Sequence, residues 1–187
     1  MIRTLKIICF IVLTLVGAQR VCAQQVAIKT NVLMLGMLTP NLSCEIVTGE
    51  RTSLDLSVFG HHKPYGINSK MLSFQPEFKY WFNGRPMIRE YVGIAALGST
   101  YDIIWKRDVF KGDAVGLGVT GGYSFALNKR FCLELTAGFG VVYFRQKQYY
   151  INDNFDDFYV NGIGKPNVQG YKLLPIKIGV TLSYIIK

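Results

Sequence analysis

Hydrophobic and polar residues alternate along two long neighbouring segments of the chain. In the first, Val115, Leu117, Val119, Tyr123, Phe125 and Leu127 share one face, while Gly116, Gly118, Thr120, Gly122, Ser124 and Ala126 share the other. In the second, Phe131, Leu133, Leu135, Ala137, Phe139, Val141 and Tyr143 oppose Cys132, Glu134, Thr136, Gly138, Gly140 and Val142. Successive side chains of a strand point to opposite faces, so period two predicts a hairpin with one greasy face and one small or polar face. The turn falls at Asn128-Lys129-Arg130. Strands this long exceed those of most soluble sheets and suit a membrane wall.

The same period predicts six further strands, at 26–35, 41–47, 52–59, 71–82, 90–103 and 174–186. The fifth alternates weakly and its facing is not assigned. Pro76 lies inside the fourth and points to a bulge. Turns follow the second, fourth and sixth strands. Longer connections follow the third, fifth and seventh, at 60–70, 102–112 and 149–170. Eight strands with alternating short and long connections predict an all-β, eight-stranded antiparallel up-and-down transmembrane β-barrel.

Which face points outward decides between two barrels. A soluble barrel has a greasy interior and a charged exterior. Here the non-greasy face is mainly Gly, Ser, Thr and Ala, which suits the cramped inside of an eight-stranded barrel. Its charged and polar members, Lys29, Asn31, Glu45, Asp55, Glu77, Lys79, Glu134 and Lys177, are expected to form an interior polar network, since buried charges need partners of both signs. Aromatics near strand ends, including Tyr80, Phe82, Tyr123, Phe125, Phe131, Tyr143 and Tyr184, resemble interfacial girdles. An interior of this size is filled by side chains and offers no open channel.

Three segments carry a resemblance. Lys29-Thr30-Asn31, Pro40-Asn41-Leu42 with Glu45, and Gln75-Pro76-Glu77-Phe78-Lys79-Tyr80-Trp81-Phe82 resemble the domain of unknown function 3575 family. The resemblance covers most of the chain after residue 23. It implies a small outer-membrane β-barrel and no established activity. It puts Lys29, Asn31, Asn41, Glu45, Glu77, Lys79 and Trp81 in a shared pattern. Lys79 stands where an arginine is usual, and a lysine lacks the fork that grips a carboxylate with two bonds.

The N-terminus reads as a signal peptide over residues 1–23, leaving 24–187 as the barrel domain. Arg3 and Lys6 precede an apolar run at 7–17, and Val21-Cys22-Ala23 supplies a small-residue cleavage site. Gln19-Arg20-Val21 before Cys22 does not suit a lipid-anchoring site. Cleavage removes Arg3, Lys6 and Arg20 and no acid, taking the formal charge from +9 to +6. The basic residues are scattered and the chain is exported, so outer-membrane lipid and lipopolysaccharide are the expected partners, not nucleic acid. Cys44 and Cys132 remain after cleavage and lie on opposite faces, which argues against a bridge.

Candidate chemistry is thin. Gly116-Leu117-Gly118-Val119-Thr120-Gly121 fits G-x-G-x-x-G by letter, but it lies inside a strand where a nucleotide site needs a following helix. His61 and His62 sit at the mouth of the third strand. They carry the alternative of a lipid-acting barrel enzyme, for which Ser57 or Ser73 would have to converge on them. A soluble periplasmic barrel binding an apolar ligand is the other alternative. The acidic, aromatic stretch at 149–159 misses the calcium-loop spacing. Its Tyr149, Tyr150, Phe155, Asp156, Asp157 and Tyr159 form a candidate external loop for a protein or glycan partner. The balance favours a non-enzymatic structural or surface-interaction role, with no cofactor and no metal.

Overall fold

The computed structural model of the protein describes residues 25–150, 159–160, 163–164 and 168–186. The expected signal peptide lies outside them. The elements are β1 (Val26–Asn31), α1 (Val32–Gly36), β2 (Asn41–Val47), β3 (Thr52–His62), β4 (Ser69–Trp81), β5 (Arg89–Trp105), β6 (Asp108–Ala126), β7 (Phe131–Tyr150), β8 (Tyr159–Val160), β9 (Ile163–Gly164) and β10 (Val168–Ile185). Eight of the strands join in one closed barrel, in the order β1-β10-β7-β6-β5-β4-β3-β2. Every pairing in the ring is antiparallel, and β1 meets β10 to close it. Closure removes the unpaired strand edge that an open sheet would present.

The fold expectation needs correcting in its details. The elements are not purely strands: a short α-helix, a 3-10 turn at Pro64–Gly66 and a separate β8–β9 pair accompany the ring. Nor does the ring establish that the strands are transmembrane. A cyclic hydrogen-bond pattern fixes how backbones meet, not which medium surrounds them.

Strand one ends sooner than its apolar run suggests. Asn31 caps α1, its Oδ1 accepting from the backbone N–H of Leu33 (3.1 Å) and Met34 (3.4 Å). Its Nδ2 donates to the Ile178 carbonyl at 3.2 Å. A side chain that takes two first-turn amides makes a helix out of Val32-Leu33-Met34-Leu35. The connection expected at 102–112 is instead ladder. β5 and β6 stay paired up to Trp105 and Asp108, with a two-residue turn whose Lys106 has φ 58.

Pro76 makes no bulge. Its residue pairs with Leu56 of β3, and the β4–β5 register is the same on either side of it. The bulge is in β10, between Pro175 and Lys177, so that Ile176 and Lys177 are both buried. This corrects the expected outward facing of Ile176. It joins Ala95, Ala114 and Val142 in a small apolar cluster, with Tyr101 and Phe144 packed against it.

Glycines set how closely the walls of this narrow ring can approach. A Cβ on Gly118 would lie 2.7 Å from Ile176 Cδ1 and press on the Phe139 carbonyl. A Cβ on Gly98 would meet only the Phe74 carbonyl oxygen, at 4.0 Å. Gly118→Val should therefore cost about 1–3 kcal/mol. Gly98→Val should stay within about 0.5 kcal/mol of the parent. Urea midpoints of the folded protein would check the contrast, and equal losses would refute the packing argument.

Candidate functional site

The interior charges converge on one cluster. Lys29 bonds the Glu45 carboxylate and meets Glu134 Oε2 at 2.6 Å and Asp55 Oδ2 at 3.6 Å. Lys79 lies 2.7 Å from Glu134 Oε1 and 3.4 Å from both Glu45 Oε2 and Asp55 Oδ2. Lys177 bonds the Glu77 carboxylate and stands 3.5 Å from Asp55 Oδ2. Six strands, β1, β2, β3, β4, β7 and β10, supply these seven side chains. Each points inward because it occupies the inner parity of its strand, and each is 9% exposed or less.

Hydroxyls and an indole complete the first layer around them. Trp81 Nε1 donates to Ser53 Oγ at 2.8 Å, and Ser53 in turn donates to Glu45 Oε1. Tyr91 donates to Glu134 Oε1 at 2.7 Å, and the Lys79 ammonium lies 4.4 Å from the centre of the Tyr91 ring. Thr120 donates to Glu77 Oε1. Buried charges survive when paired and hydrogen-bonded in this way. Asp55 Oδ1 is the exception, a buried oxygen without a hydrogen-bond partner. Asp55 also borders a cavity of about 20 Å³ that Asn31, Ser43, Gln75 and Thr181 help to line. That is room for about one water molecule and no more.

Of the eight residues named from sequence, seven meet in this cluster. Asn31 stands beside it as the cap of α1, 8% exposed. The sequence pattern does not single out Tyr91, Ser53, Thr120 or Thr136, the last of which donates to Glu134 Oε1 at 3.1 Å. Tyr91 lies on the strand whose facing was unassigned, yet Tyr91, Gly93 and Ala95 are all buried at spacing two. That small-residue period was a usable signal. Ser53 and Thr120 look like ordinary small interior residues until their acceptors are seen.

The other candidates separate. His61 Nε2 lies 2.8 Å from Ser69 Oγ, and its Nδ1 lies 3.4 Å from Thr39 Oγ1. The hydroxyl beside it is thus neither Ser57 nor Ser73, and Ser73 donates to Ser99 instead. A threonine hydroxyl faces Nδ1 where a catalytic triad has a carboxylate to stabilise the imidazolium. The glycine motif at 116–121 lies wholly within β6, which has no helix after it. Cys44 and Cys132 are both free thiols. Among the described residues no group of three or more His, Cys, Asp or Glu is arranged to hold a metal ion.

The candidate external contact loop is only partly within the described residues. Tyr149 and Tyr150 continue β7, opposite Val109 and Asp108 of β6. Tyr159 opens β8, opposite Gly164. Phe155, Asp156 and Asp157 lie outside the described residues. The apolar-ligand alternative fails as well, because the middle of the ring holds ion pairs where such a ligand would need apolar walls.

Closed backbone and buried ion network together define a small antiparallel β ring with a charge-filled interior. The chain belongs to the family described as protein of unknown function (DUF3575), whose profile matches residues 7–186. No curated protein and no solved structure matches it.

The network predicts a strongly unequal pair of variants. Lys177→Met removes the cation from Glu77 and leaves two buried carboxylates poorly compensated, at a cost of about 3–5 kcal/mol. Adding Glu77→Gln should recover part of that loss. Urea titration of both proteins would measure it, and a double variant no better than the single would argue against pairing as the source.

Proposed function

We propose that lipid acyl chains surround this ring, and that the protein is a sealed, lipid-solvated component of the cell envelope that passes no ions. The inverted distribution of its side chains carries the reading. Lys79 and Glu45 are 0% exposed, while Leu117, Val119 and Phe139 are 61%, 66% and 59% exposed. Water stabilises the reverse arrangement, and so broad an apolar exterior calls for an apolar surrounding.

The edges of the apolar face support the same medium. At the end with the short turns, outward aromatics pair as Tyr80 with Phe82, Tyr123 with Phe125 and Phe131 with Tyr184. Arg51 and Arg130 donate there to the hydroxyls of Tyr80 (3.3 Å) and Tyr184 (3.2 Å). At the other end Tyr143 pairs with Tyr171, ring centres 4.9 Å apart. Amphipathic rings collect at both boundaries between hydrocarbon and water. From Phe131 to Tyr143 the chain runs roughly 40 Å along the strand. At the tilt of about 40° usual for closed barrels that becomes roughly 30 Å, the thickness of a bilayer's hydrocarbon.

Among the described residues no helix is long and apolar enough to cross a membrane, a statement that does not concern strands. Export by residues 1–23 would take the protein to the outer membrane, where lipid and lipopolysaccharide are its neighbours. The seven-residue charge cluster fills the bore and closes it to ions.

Cell fractionation tests the reading. The protein should stay with membranes through alkaline carbonate and run faster on a detergent gel unheated than boiled. Planar bilayers holding it should show no conductance steps. Recovery in the soluble fraction without detergent would overturn the proposal.

A further inference from the structure

At the end of the ring with the short turns, the bore has a mouth that the ion cluster does not fill. A recess of about 290 Å³ lies there. Its floor includes Ala126, Cys132 and Ile185, which occupy the inner parity of β6, β7 and β10. The recess therefore opens on the bore and not on the apolar outer wall. Pro86 and Ile88, from the loop between β4 and β5, add apolar lining. Arg85 of that loop and Lys129 of the turn between β6 and β7 also line it, and both are exposed. Among the described residues no carboxylate does.

Neither cation is engaged elsewhere. Arg51 and Arg130, at the same end, are bonded to tyrosine hydroxyls, whereas Arg85 and Lys129 have no ion pair or side-chain hydrogen bond among the described residues. Behind the floor, Glu134 stands two residues from Cys132 and is already bonded by Lys29 and Lys79. The turns that carry the two cations are also held in place. Met87 and Arg89, on either side of Ile88, have φ 66 and 67, in the left-handed region that a Cβ disfavours. Burial of Met87, 2% exposed, and the Ser124 hydroxyl, which donates to its carbonyl at 2.8 Å, hold that conformation. In the other turn, Asn128 Oδ1 accepts from the backbone N–H of Arg130 (2.8 Å) and Phe131 (2.9 Å). Strained backbone fixed by its surroundings gathers at sites that pre-organise a ligand's partners.

We propose that this recess binds a carboxylate at the end of a short, mainly apolar chain, supplied by the last residues of a polypeptide or by a free short acid. The planar Arg85 fork suits both oxygens of a carboxylate, and Lys129 adds a second positive charge. The apolar part then covers Pro86, Ile88, Ala126 and Ile185. Inorganic phosphate would match the cations and leave that floor bare. A recess this size sits near the lower end for small-ligand sites, about 300 Å³, so it takes a chain end and not a folded surface. Because its walls belong to the inside of the ring, the site is independent of the medium around the outer wall.

Calorimetric titration of the full chain with acetyl-alanyl-leucine tests this. The acid should bind, and its C-terminal amide should bind about tenfold more weakly or worse, since a charge-assisted contact is lost. Arg85→Gln with Lys129→Gln should weaken binding of the acid by at least the same factor. Lys70→Gln with Lys111→Gln, at the far end of the ring, should leave it unchanged. Near-ultraviolet circular dichroism from the buried Trp81 certifies that each variant is folded. Hexanoate sorts the two sources: binding no weaker than the dipeptide supports a free acid, and weaker binding supports a polypeptide end. Equal affinity for acid and amide, or an undiminished affinity in the Arg85 and Lys129 variant, would overturn the site. So would binding of neither acid, or inorganic phosphate binding as tightly as the dipeptide.

Discussion

Three lysines facing four carboxylates inside a narrow ring are the constraint from which the rest follows. Each of these groups, isolated in a low-dielectric interior, would be costly to bury. They are tolerable together because Lys29, Lys79 and Lys177 each touch two or more carboxylates, and hydroxyls of Ser53, Tyr91 and Thr120 take up further lone pairs. The arrangement requires closure. The partners come from strands as far apart in sequence as Lys29 and Glu134, and only a ring brings β1 to β10 and so within reach of β7.

Filling the inside with charge also dictates the outside. A strand has two faces, and once one parity is assigned to the ion network the apolar parity must face out. That is why Leu117 and Val119 are exposed while Thr120 is buried on the same strand. The interior is not uniform along its length. The ion cluster gives way to a small apolar layer of Ala95, Ala114, Val142 and Ile176, and close contact between β6 and β7 there depends on glycines. Ion pairs thus fill one part of the interior and apolar side chains another.

That outer surface is asymmetric around the ring. The turn end is ringed by aromatic side chains and arginines bonded to tyrosine hydroxyls. The opposite end of β4 to β7 instead rises past the apolar face into a charged rim of Lys70, Asp102, Lys111 and Lys147, because β5, β6 and β7 extend well beyond β2 and β3.

The sequence by itself determined the strand periodicity, the sign of each face except on the fifth strand, and the seven charged members of the cluster. All three depend on local alternation, and a two-residue repeat is visible in one dimension. Lys29, Glu45, Asp55, Glu77, Lys79, Glu134 and Lys177 share inner parity, so they could be named before any contact was known. Tertiary structure decided the rest. Asn31 ends β1 because its side chain finds the amides of α1 and the Ile178 carbonyl, a partner 147 residues away. Ile176 turns inward because β10 slips its register against β7 at Pro175, and no pattern within β10 alone reveals a slip between two strands.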